Sequence, residues 1–113
     1  MTTALDRLGA LAQETRLALF RRLVQQGPDG LAAGALAAGL GIPAPTLSFH
    51  VAQLERAGLV EGRRSGRSIV YAASYPAMQE LLAYLYENCC QGAGCAPVTK
   101  LAKATSAGKG KRR

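Results

Sequence analysis

The stretch that most narrows the possible folds is LAAGALAAGLGIPAPTLSFHVAQLERAGLV, residues 31 to 60. LAAGALAAGL is an Ala-rich segment that predicts a short helix beginning near Ala32, and Gly41 predicts its left-handed end. Pro43 and Pro45 fit only the first turn of a helix, so the next one is expected to begin near Ala44. Leu47, Val51 and Leu54 recur at i, i+4 and i+7 and form its inner face. Ala57-Gly58 ends it. A short helix, a glycine turn and a second helix make a helix-turn-helix.

The flanking chain completes a small domain. Leu5, Leu8, Leu11 and Ala12 recur at helical spacing from Thr3. Leu19, Phe20, Leu23 and Val24 predict a second helix, which Gln26-Gly27-Pro28-Asp29-Gly30 stops by turn chemistry. LVEGRR and SIVYAA are short β-favouring runs separated by Ser65-Gly66-Arg67, the pattern of a β-hairpin. A last helix is expected from about Pro76 to Cys89, with Met78, Leu81, Leu82, Leu85 and Cys89 in one apolar stripe. A hairpin directly after the second helix of the motif makes it winged. The expected fold is mainly α with a small β-hairpin, a dimeric winged helix-turn-helix. Residues 1–96 would form the domain with its cysteine cluster, and 97–113 a disordered basic tail.

Charge bears on the kind of partner. The net charge is +7 over 113 residues. Residues 1–97 hold eight Arg, no Lys and seven acids, so the body carries only +1, and the tail supplies the remaining +6. A claim of DNA binding for the body must therefore rest on where its arginines sit. On a helical wheel the outer arc of the Ala44–Ala57 helix presents Thr46, Phe49 and Gln53, with Ser48 on its flank. That arc is rich in donors, as entry into the major groove requires. Arg63, Arg64 and Arg67 fall within five residues at the hairpin, where they could hold phosphates or reach a minor groove. An ordinary solvated helix and a charged turn would share these features singly. His50, the one histidine, reads as structural.

At this point the chain resembles a known family. ETRLALFRRLV, PTLSFHVAQLERAGLV and EGRRSGRSIVYAAS are similar to the ArsR/SmtB family of bacterial metal-responsive repressors, over roughly residues 3 to 90. The resemblance implies a homodimer that leaves its operator when an inducer binds. It also implies an interface built from the first and last helices, here residues 3–13 and 75–90. Two departures matter. Ala44 stands where members often carry a polar residue. The short helix before the turn also lacks the cysteines of the first-described arsenic type, and the last helix lacks the acidic and His ligands of the zinc type. Any inducer site lies elsewhere.

The elsewhere is ENCCQGAGC. All three cysteines, Cys89, Cys90 and Cys95, fall within seven residues. Thiolates are soft ligands, and a trio without His or carboxylate suits trivalent arsenic or antimony, whereas zinc wants a fourth ligand. The spacing also resembles the arsenic-binding loop of arsenic metallochaperones, and some arsenic-responsive members of the family. Adjacent helical residues point about 100° apart, so Cys89 and Cys90 cannot aim at one ion while both stay helical. Binding is then expected to rebuild the end of the last helix and release operator DNA. Two other readings fit the same residues: a redox or persulfide sensor closing a disulfide from Cys90 or Cys89 to Cys95, and a metal-carrying chaperone that reads no DNA. No nucleophile with a base, carboxylate pair or phosphate loop is evident, so no enzyme is expected. No apolar run approaches the roughly 18 residues a membrane span needs. The first residues lack a signal-peptide pattern, and the clustered odd cysteines suggest reduced thiols in a cytoplasmic protein.

Overall fold

The computed structural model describes residues 2–92. Helix α1 spans Thr2–Leu11 and α2 Glu14–Gln26; strand β1 is Leu31–Ala32; α3 spans Ala33–Leu40 and α4 Ala44–Arg56; β2 is Val60–Ser65 and β3 Ser68–Ala73; α5 spans Tyr75–Tyr86, and a 3-10 turn covers Cys89–Gly92. The chain divides after Met78 into two compact units, so α5 begins in the first and continues in the second. The architecture is a winged helix-turn-helix, as expected.

Both helices of the motif end in the same way. At α3, the Ile42 N–H reaches the Ala37 carbonyl at 3.1 Å and the Gly41 N–H the Ala38 carbonyl at 3.2 Å. At α4, Leu59 N–H reaches Leu54 at 3.0 Å and Gly58 N–H reaches Glu55 at 2.9 Å. These are paired Schellman bonds, and they require the residue after the helix to turn left-handed. Gly41 does so at φ 68°, and Gly58 at φ 80°. The apolar residues beyond them, Ile42 and Leu59, pack on the core. The turn angle between α3 and α4 is thus locked by backbone bonds and by burial together.

The core of the first unit joins Leu19 and Leu23 of α2, Leu36 of α3, Leu47, Val51 and Leu54 of α4, and Leu59. His50 belongs to this buried face at 9% exposure. The sheet has the order β1-β3-β2. Its hairpin closes through the two residues Gly66 and Arg67, from Ser65↔Ser68. The pattern predicts a helix from near Ala32, whereas Leu31 and Ala32 form strand β1 and the helix begins at Ala33. The strand pairs antiparallel with β3 through Leu31↔Tyr71 and Ala32↔Val70. Gly30 makes this approach possible: its φ is +76°, and a Cβ there would collide with the Tyr71 carbonyl oxygen. The Tyr75 hydroxyl donates to the Val24 carbonyl at 2.9 Å, tying the start of α5 to the end of α2.

The last helix stops earlier than expected. It ends at Tyr86, and Asn88 at φ 57° begins a turn in which Cys90 and Gln91 are also left-handed, both at φ 56°. Cys89 therefore does not extend the apolar stripe of α5. Among the described residues no single helix is long and apolar enough to cross a membrane; α3 and α4 reach that composition only as a pair bent by 106°.

Candidate nucleic-acid interface and thiol turn

Helix α4 is fixed on its inner side and open on its outer one. Leu47, His50, Val51 and Leu54 are buried. Thr46, Ser48 and Phe49 are exposed and Gln53 is half-buried. Phe49 is 58% exposed, a large apolar ring held in solvent. It meets the His50 ring edge-on with centroids 5.2 Å apart, so its position is set by a buried neighbour. The outer face thus offers hydroxyls, an amide and a ring, the groups that read base edges and thymine methyls. All four predicted α4 residues lie on this one helix.

The three hairpin arginines divide between the turn and a strand. Only Arg67 lies in the turn; Arg63 and Arg64 are in β2, opposite Val70 and Ile69. Successive strand residues face opposite sides, so Arg63 and Arg64 diverge. Arg63 Nη2 donates to the Asp29 carbonyl at 3.0 Å, which ties β2 to the loop before β1. The wing is also seated against α4. A Cβ on Gly62 would lie 2.8 Å from the Tyr71 ring and 3.0 Å from the Glu55 carboxylate, so a side chain there would have to displace them.

Two arginines that the sequence reading passed over hold α4 in place. Arg7 Nε donates to the Ala57 carbonyl at 2.9 Å and Nη1 to the Ala77 carbonyl at 3.3 Å. Arg16 Nε donates to the Ala10 carbonyl at 2.6 Å, and Nη1 meets His50 Nδ1 at 3.2 Å. Guanidinium has no acceptor, so His50 Nδ1 accepts and a neutral ring carries its proton on Nε2. Ala10 and Ala57 lie at the C-terminal ends of α1 and α4, where carbonyls lack helical partners and a cation is favoured. The structural role expected for His50 is the one it has. Three of these four partners are 34 to 70 residues apart in sequence, which is why periodicity gave no signal.

In the second unit, the left-handed backbone at Cys90 brings Cys89 Sγ and Cys90 Sγ to 3.4 Å. The pair was expected to diverge on a helix; leaving the helix lets it converge. Cys89 is a free thiol, while Cys90 is disulfide-bonded. Burial first, and then the neighbouring Cys89, push the Tyr86 phenol above its ordinary value. Cys95 lies outside the described residues, as does the predicted basic tail. Among the described residues no group of three or more His, Cys, Asp or Glu comes together.

A buried-faced reading helix followed by a paired wing defines a winged helix-turn-helix domain. The comparisons with known proteins agree with that class. Residues 11–63 match a family described as a helix-turn-helix domain. The nodulation protein NolR of Rhizobium meliloti is 35% identical over 78 residues, 69% of this chain and 62% of that protein. HlyU from Vibrio cholerae N16961 is 35% identical with a TM-score of 0.60, over 75% of this chain and 92% of that one. The homodimeric winged helix-turn-helix DNA-binding domain of Mb0332 from Mycobacterium bovis, a possible ArsR-family transcriptional regulator, is 26% identical with a TM-score of 0.62, over 80% of this chain and 84% of that one. The chain belongs to the ArsR-type family of winged helix-turn-helix regulators. It spans 62% of the length of the curated relatives it matches.

Proposed function

We propose that this protein is a homodimeric transcriptional repressor of an arsenic-resistance operon, released from its operator when As(III) or Sb(III) binds Cys89, Cys90 and Cys95. Thr46, Ser48, Phe49 and Gln53 read base edges in the major groove, and Arg63, Arg64 and Arg67 contact the backbone or a minor groove. Its relatives support DNA and a dimer as partners, since one of them is a homodimeric DNA-binding domain. The two subunits pair through the first and last helices. Leu5 is 64% exposed on α1, and Leu82 and Leu85 are 41% and 57% exposed on α5, so each helix carries apolar surface for a second copy to cover.

The metalloid reading is carried by the two sulfurs at 3.4 Å. Metal–thiolate bonds of roughly 2.3 Å place two sulfurs on one ion less than about 4.6 Å apart, so once a cellular dithiol reductant has opened the Cys90 disulfide to thiols, the pair needs little movement to share one. The third sulfur is assigned to Cys95 from the sequence. Capture of an ion at this turn repacks the end of α5, and with it the spacing of two reading helices that must meet half-sites about 34–36 Å apart. A 100-fold loss of operator affinity requires only about 2.7 kcal/mol of coupling.

A second reading is favoured by the disulfide at Cys90. In it, oxidation and reduction of the thiols are the signal, and no ion is bound. One experiment separates these. An electrophoretic shift with DNA upstream of the protein's own gene is expected to show a complex. Arsenite is expected to dissolve that complex, and zinc, cadmium or peroxide to do so weakly. Release by peroxide without arsenite supports the redox reading. Release of Cys95→Ser by arsenite as readily as wild type would refute the three-sulfur site. A chain that never shifts DNA is a carrier instead.

A further inference from the structure

Between α1 and α4 lies a cleft of about 300 Å³, lined by Asp6, Gly9, Ala10, Arg16, Gln53 and Arg56. It shares Gln53 with the base-reading face of α4 and includes no residue of the thiol turn. We propose that it is an oxyanion site, seating one carboxylate or phosphate between the guanidiniums of Arg16 and Arg56 with the Gln53 amide alongside.

The donors are present, and those of Arg16 are oriented. Arg16 has five N–H groups, of which Nε and one of Nη1 are used on Ala10 and His50, leaving three. Those two bonds also fix the plane of the fork, so the remaining donors are presented without further ordering cost. Arg56 makes no hydrogen bond or ion pair among the described residues. Neither arginine is neutralised from within, because Asp6 is likewise without an ion pair to either. Two cations face one carboxylate, an excess of one positive charge.

Two features oppose an anion here, and both are answered. The C-terminal ends of α1 and α4 border the cleft, and their carbonyls carry negative partial charge. Arg16 covers the Ala10 carbonyl and Arg7 the Ala57 carbonyl. Asp6 is exposed on the rim and would repel a bare anion. It can accept a hydrogen bond, so it favours an oxyanion that carries its own O–H, such as hydrogen phosphate or a hydroxy acid.

The same chemistry can come from a free small oxyanion or from a DNA backbone phosphate, since Gln53 and Arg56 lie on the reading helix. Only the second source depends on the DNA-binding reading above. The full chain, 15N-labelled, is titrated with inorganic phosphate at constant ionic strength. Saturable shifts of the Gly9, Ala10 and Gln53 amides, lost in Arg56→Gln, are expected if the ligand is free. In parallel, operator affinity is measured against salt for wild type and Arg56→Gln. No phosphate saturation, together with a salt slope reduced by about one in the variant, assigns the site to a backbone phosphate. A folded Arg56→Gln with an unchanged slope, and a wild type that phosphate does not saturate, would overturn the proposal. Should the wild type bind no DNA at all, the phosphate arm alone decides it.

Discussion

Helix α4 and the turn at Cys89–Gln91 both present side chains outward, but they are held very differently. Four buried side chains, a Schellman bond pair, the Arg7 and Arg16 guanidiniums and the wing all bear on α4. The thiol turn has three non-glycine residues at positive φ, and within it the Gln91 N–H reaches the Asn88 carbonyl at 3.1 Å beside the sulfur pair. A left-handed L-residue costs roughly 1–2 kcal/mol. A surface that must match base edges needs a fixed frame, because small displacements forfeit hydrogen bonds. A sensor needs a segment whose conformations lie close in energy, so that one ligand can choose between them. Under the proposed function, recognition falls to the rigid element and response to the strained one.

The largest expected effect tests the rigid side. Leu54→Ala removes a side chain with 0% exposure, and should lower unfolding free energy by about 2–5 kcal/mol in urea titration. Cys89→Ser should move it by no more than about 0.5 kcal/mol. Equal losses would erase the contrast. Next, Gln53→Ala should weaken operator binding by about 1–3 kcal/mol in fluorescence anisotropy, while the thermal midpoint stays put. A shifted midpoint would mean that Gln53 supports the fold and does not read bases.

Smaller effects sharpen the other side. Gln91→Gly removes the penalty of a left-handed side chain at φ 56°, and should stabilise the turn by about 1 kcal/mol, read by hydrogen exchange of its amides. Faster exchange in this variant would show that the turn is not strained. Smallest, Arg64→Gln should reduce the salt slope of operator binding by about one with little change in sequence preference. A changed preference would move Arg64 from the backbone to base reading.

Much of the first unit was legible because its signals are local. Pro43 and Pro45 marked the start of α4, Gly41 and Gly58 its neighbouring ends, and Leu47, Val51 and Leu54 its buried side. The hairpin was legible from its β-branched runs and the Gly66-Arg67 turn. Strand β1 was not, since two residues carry no periodicity and their extended form depends on pairing with Tyr71 and Val70. The early end of α5 was missed because Asn88 and Cys90 adopt a left-handed backbone that composition permits but does not demand. The thiol cluster was legible in the sequence, but the convergence of Cys89 and Cys90 was not.

By itself the sequence determined the helix-turn-helix, its wing and the outward residues of α4, because propensity, capping and the 3.6-residue period act over a few neighbours. Only the tertiary structure decided how that helix is held. Arg7 and Arg16 find carbonyls and a histidine that the chain brings to them from 6 to 70 residues away, and β1 exists because β3 is beside it. Those bonds form only once the core has closed. No pattern along the chain announces them, because their partners are chosen by proximity in space.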